Sequence, residues 1–117
     1  MYNNPLNNEN TNNNNLNKNN DLFIKFEKLI KDITDITKNI YNIVSKENFD
    51  NNIDLEIVKK EYIKRDKNIK LLNNIFITTE GTKLIVSDIW NKFMEEVVPI
   101  ELKNREILKE KGITIIK

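Results

Sequence analysis

The sequence predicts a mainly α fold: an antiparallel, coiled-coil-like helical hairpin, a small C-terminal helical cap and, as an option, a short β pairing. Three observations carry this expectation. Leu22, Phe26, Leu29, Ile33, Ile36, Ile40 and Ile43 recur at steps of 4, 3, 4, 3, 4 and 3. That is the heptad step that keeps one helix stripe facing a partner. Leu55, Val58, Tyr62, Ile69, Leu72 and Phe76 repeat it, with Arg65 as a polar insertion. Between the two seams Asn48, Asp50, Asn51 and Asn52 cluster as loop residues do. Two seams joined by a short loop fit a hairpin.

Residues 1–20 come first. Met1–Asn20 holds twelve Asn, with Pro5 and almost no charge. Such a stretch cannot bury enough apolar surface to offset its ordering entropy, so an Asn-rich disordered tail is predicted there. Residues 21–77 should form the hairpin. Asn20 or Asp21 caps helix one, expected from about Leu22 to about Lys46, with Phe23, Ile30 and Val44 widening its stripe. Its stability must come from seam packing, because β-branched residues are mediocre helix formers. Asp54 is the expected N-cap of helix two, which should fray at Ile77.

Residues 78–117 should form a C-terminal helical segment. Thr78–Thr82 reads as a turn around Gly81. Lys83–Val86 is expected as a short strand or a lead-in, and Ser87 as an N-cap with Asp88 in the first turn. Ile89, Trp90, Phe93, Met94, Val97 and Val98 make the apolar face of helix three. Pro99 should stop that helix at Val98. Glu101–Lys111 is then a fourth helix, ended by Gly112, and Ile113–Ile116 has strand composition.

Composition narrows the function classes. The formal net charge is +1, and no segment departs far from neutrality. A balance of this kind gives no electrostatic case for nucleic acid or an anionic membrane. Cys is absent, which excludes disulfides and thiolate chemistry. His is absent too, and with it the commonest general base and metal ligand. Two Gly are too few for a glycine-rich phosphate loop. No apolar run spans a bilayer and no secretory signal precedes the first seam, so a soluble intracellular chain is expected, its compartment open. Ala and Gln are also absent while Ile, Asn and Lys abound, the pattern of a coding bias that weakens any reading of Asn or Lys enrichment.

The remaining constellations have bland explanations. Asp32/Asp35 and Glu95/Glu96 are carboxylate pairs, but Lys28, Lys31 and Lys38 surround the first, as on a solvated face. Lys59, Lys60, Lys64, Arg65, Lys67 and Lys70 form the basic cluster, interleaved with Glu56, Glu61 and Asp66. Interleaving of this kind favours i,i+4 pairing over phosphate contact. Trp90 and Phe93 should seal the end of the hairpin or meet a partner.

Three pieces in order resemble the caffeine-induced death protein 2 family, small coiled-coil proteins linked to the mitochondrial intermembrane space and to regulation of import. They are Phe23, Phe26, Leu29, Ile30, Lys31, Ile36 and Ile40; then Arg65, Asp66, Ile69 and Lys70; then Glu95–Val98. The chain lacks that family's cysteines and shortens its coiled coil, so an oxidative import route does not carry over. A similar partial likeness extends to helical-hairpin subunits of the transcriptional Mediator complex. What the resemblance implies is a class, non-enzymatic helical subunits.

The function expected is therefore that of a protein–protein interaction subunit, with no catalytic, cofactor or metal site. Its partners would be other helical subunits or a second copy. Leu22, Phe26, Leu29, Ile33, Ile36, Ile40, Ile43, Trp90 and Phe93 are the candidate partner-binding residues. On this reading the isolated chain self-associates or is poorly ordered. The alternative is a winged-helix-like nucleic-acid-binding module in residues 83–117, built as strand, helix, helix, strand.

Overall fold

A computed structural model describes residues 8–115, those before Asp21 by backbone alone. Three long helices run up, down and up: α1 (Asn8–Val44), α2 (Ile53–Phe76) and α4 (Asp88–Glu110). A single turn, α3 (Thr79–Thr82), and the 3₁₀ segment Lys83–Val86 link α2 to α4. The mainly α class and the hairpin of α1 and α2 are as expected. Helix α1 is the hub, and both α2 and α4 pack along it.

Helix α1 starts at Asn8, thirteen residues before Asp21, so the described part of the Asn-rich tract continues the helix. Adding a turn to a helix already nucleated by packing costs little, even with Asn's modest propensity. The part of the expected tail in residues 1–7 lies outside the described residues. Between α1 and α2, Asp50 sets the start of the second helix. Its Oδ1 accepts from the N–H groups of Asn52 and Ile53 at 2.6 and 2.8 Å. Asp54, the expected cap, instead returns the bond: its Oδ2 accepts from the Asp50 N–H at 2.9 Å. Asp50 succeeds because it lies where its oxygen meets the first free N–H groups, whereas Asp54 is already the second residue of the helix.

Gly81 sits under the end of α2. A Cβ there would overlap the Ile75 carbonyl, so the tight turn requires glycine. Thr78 Oγ1 accepts from the Gly81 N–H at 2.9 Å and caps α3. Ser87 caps α4 as expected, its Oγ accepting from the Trp90 N–H at 3.3 Å.

Two expectations for the C-terminal segment are corrected. Helix α4 does not end at Val98 but runs through Pro99 to Glu110, so the third and fourth expected helices are one. Pro99 and Glu95 are both exposed, and the carbonyl that Pro99 leaves without a donor can be met by water. No strand forms among the described residues. Lys83–Val86 is 3₁₀ and residues 113–115 are irregular, so neither the optional β pairing nor the strands of the winged-helix order is present.

Gly112 does terminate α4, at φ +74°. Its N–H reaches the Lys109 carbonyl at 3.0 Å, and the Ile113 N–H reaches the Leu108 carbonyl at 2.9 Å. This pair of hydrogen bonds reverses the chain and folds Ile113 and Ile115 onto the bundle.

The interior divides into two apolar clusters. One joins Phe26, Ile30 and Ile33 to Leu72, Phe93 and Val97; the other joins Ile40 and Val44 to Val58, Tyr62 and Leu108. Rings close the first. Phe76 meets Trp90 edge-on at 4.9 Å, and Trp90 stacks on Phe93 at 5.2 Å. Each fully buried side chain of this size contributes roughly 1.5–3 kcal/mol.

Candidate functional site: a polar layer and the groove beside it

Helix α1 buries Phe26, Leu29, Ile30, Ile33, Thr37, Ile40 and Val44. It keeps the alternating step of the predicted seam but takes Thr37 in place of Ile36. On α4 the buried positions are Phe93, Val97, Glu101, Asn104 and Leu108. Polar side chains therefore occupy core positions at one level on two helices. Helix α2 brings Tyr62 and Arg65 to the same level.

These residues form a connected layer. The Tyr62 hydroxyl is shared between Glu101 Oε1 and Oε2, at 3.3 and 3.2 Å. Arg105 Nε donates to Glu101 Oε2 at 2.7 Å, and Arg65 Nε stands 3.9 Å from Oε1. Arg65 also points Nε at Thr37 Oγ1, at 3.4 Å. Thr37 itself donates to the Ile33 carbonyl, and Asn104 Nδ2 donates to the Thr37 carbonyl at 3.1 Å. Burial first, and the Glu101 charge second, push the Tyr62 hydroxyl well above the ordinary phenol value, so it stays a neutral donor. Asn104 Oδ1 is buried without a protein partner. Two acids hold down the edges. A backbone N–H from Asp50, then Lys46, keeps Asp54 below the usual carboxylate range. Burial raises Glu61, but Asn39 and Lys64 together outweigh it.

Because both outer helices pack on α1, they leave a groove between them, bridged by long side chains: Trp90 to Phe76 at one end and Glu101 to Tyr62 further along. Past this bridge, Ile113 and Ile115 lie against α2 and α4 and cover that end. The other end is open, with a recess of about 250 Å³ floored by Ile33 and walled by Ile69 and Leu72 of α2 and by α4. Met94, Val98 and Leu102 form its α4 lip, at i, i+4 and i+8, and are 40, 38 and 62% exposed. Arg65 and Glu101 mark where the recess meets the polar layer.

The candidate partner-binding residues land as follows. Phe26, Leu29, Ile33, Ile40 and Phe93 are buried by the chain's own helices. Leu22, Ile36, Ile43 and Trp90 are half-buried at the edges of the two clusters. The seam is thus filled from inside, and α2 and α4 together supply what a partner was expected to supply. The sequence reading missed Thr37, Glu101 and Asn104. The signal was there: they continue apolar stripes at core spacing with polar groups. Lys28–Asp32 and Lys31–Asp35 are exposed i,i+4 pairs, as expected of a solvated face. Among the described residues no helix is long and apolar enough to cross a membrane. Comparison with protein-family models, with curated proteins and with solved structures finds no match.

Proposed function

We propose that the chain is a non-enzymatic helical subunit that docks another protein in the open groove between α2 and α4. One observation carries this reading: a row of exposed apolar side chains, Met94, Val98 and Leu102, borders a recess with an apolar floor. Water gains nothing from such a bed, whereas a helix laid in it would bury the row and the recess together. The α1 seam then serves the fold, and of the predicted contact residues Ile33, Trp90 and Phe93 also line the groove. The polar layer suits the same role, since one polar level among apolar ones fixes which helix faces which. The class agrees with the family resemblance in its coarsest form, a helical subunit without chemistry of its own.

The test is the size of the assembly that holds the chain. Tagged wild-type chain in gently lysed cells should elute well above its own 13.9 kDa, while the purified chain elutes alone. Val98→Asp with Leu102→Asp should return it to the size of the free chain while leaving its helical circular dichroism unchanged. Co-elution of variant and wild type at the large size would overturn the reading.

A further inference from the structure

The recess holds a charged group that the docking role does not use. Arg65 lines it at the end where it meets the polar layer. The Arg65 side chain is covered, yet its guanidinium is poorly matched. Among the described residues its hydrogen bond is the one from Nε to Thr37 Oγ1, long at 3.4 Å. The carboxylate paired with it, through Glu101 Oε1, stands 3.9 Å away, beyond hydrogen-bond reach. A guanidinium carries five N–H donors in a planar fork, so most of this one's donors have no protein acceptor.

The charges at this level do not balance either. Two guanidiniums, of Arg65 and Arg105, face the single carboxylate of Glu101. That carboxylate is bonded to Arg105 at 2.7 Å and to the Tyr62 hydroxyl at 3.3 and 3.2 Å. The positive charge left over is that of Arg65. An exposed lysine is served by bulk water, whereas a covered guanidinium meets only what enters the recess.

The space beside Arg65 is apolar. Ile69 and Leu72 of α2 and Trp90, Phe93 and Met94 of α4 surround a volume of about 250 Å³. A dry cavity of about 150 Å³ takes a benzene molecule, so this one has room for an apolar body of about six to ten carbons. An apolar recess with one oriented polar group at its end is the usual form of a small-ligand site.

We infer that the recess binds a small monocarboxylate with an apolar body, such as a medium-chain fatty acid, its carboxylate on the Arg65 guanidinium and its chain against Trp90 and Leu72. The planar fork of arginine matches a carboxylate in two-point contact, and the low-dielectric walls strengthen that contact. Binding of this kind goes beyond the docking role and does not need it. Ligand and docked helix would share the recess and exclude one another.

The test uses the purified full chain and three probes with one tail and different heads: octanoate, 1-octanol and octylammonium. Trp90 is the only tryptophan, so its emission reports on the recess directly. Octanoate should give a saturable change at a concentration about tenfold below that needed for 1-octanol, and octylammonium should give none. In Arg65→Met, octanoate should fall to the level of 1-octanol. Glu101 keeps its shorter bonds to Arg105 and Tyr62 in that variant, and circular dichroism checks its fold. If the variant does not fold, the comparison of the three heads on wild type decides alone. Octanol binding as tightly as octanoate would overturn the role of Arg65, and no saturable change with octanoate would overturn the site. No partner protein enters this test, so its failure leaves the docking role standing, and failure of the docking role leaves this site standing.

Discussion

Removing the Glu101 carboxylate tests the polar layer most sharply. In Glu101→Ala, Arg65 and Tyr62 stay in place without their shared acceptor. The Arg65 side chain is only 12% exposed and that of Glu101 9%, so neither partner can turn to water cheaply. Breaking a buried charged pair in this way costs about 3–5 kcal/mol. Arg105 is half in solvent, and losing its bond adds only about 0.5 kcal/mol. A domain of ordinary stability has roughly 5–15 kcal/mol in total, so the variant should be severely weakened. Replacing the whole layer is different. In the triple variant Arg65→Met, Tyr62→Phe and Glu101→Leu no buried charge or hydroxyl is stranded, and stability should return to within about 1–2 kcal/mol of wild type or exceed it. Urea unfolding followed by helical circular dichroism measures both. A single variant that loses less than about 1 kcal/mol would mean the layer is solvated. A triple variant as weak as the single would mean that Glu101 acts through packing rather than charge.

Three further outcomes follow from local geometry. Pro99→Ala should raise stability by about 1–3 kcal/mol in urea unfolding, because α4 is continuous there and regains a helix hydrogen bond; no gain would mean that the helix is broken at that point. Gly81→Ala should cost about 1–3 kcal/mol in the same assay, because its Cβ would overlap the Ile75 carbonyl, and a neutral result would refute the tight turn. Tyr62 holds its proton above the ordinary phenol value of 10.0 in the folded chain. Its stabilising effect is therefore full below about pH 10 and is lost as pH rises above that, since the unfolded chain ionises first. Melting curves of Tyr62→Phe should fall less steeply above about pH 10 than those of wild type, and parallel curves would contradict the buried hydroxyl.

How far these features were legible depends on how they are encoded. The seams of α1 and α2 were read directly, because apolar periodicity is the strongest signal a sequence carries and both helices use it. Ser87 and Gly112 were read because capping chemistry is local. The position of the stripe on α1 was read one residue off at Thr37, because a search for apolar residues passes over a threonine that satisfies its hydroxyl on the Ile33 carbonyl. Glu101 and Asn104 escaped for the same reason: their partners lie on other helices, at Tyr62 and at the Thr37 carbonyl. Pro99 misled because its local preference is to end a helix. Its exposure, which makes it tolerable, depends on how α4 sits on α1. The groove was invisible for a further reason. Only the packing of α2 and α4 on a common helix leaves Met94, Val98 and Leu102 at an open edge, although Met94 and Val98 were read as part of an apolar face.

The most direct measurement compares the two surfaces that could meet a partner. A photo-crosslinking amino acid is placed at Leu102 on the groove lip and, in a second chain, at Ile36 on the edge of the α1 seam. After irradiation in cells, the Leu102 chain should give a discrete adduct with another protein, and the Ile36 chain only cross-links within itself. A partner adduct at Ile36 with none at Leu102 would return the interaction to the seam and contradict the role given to the groove.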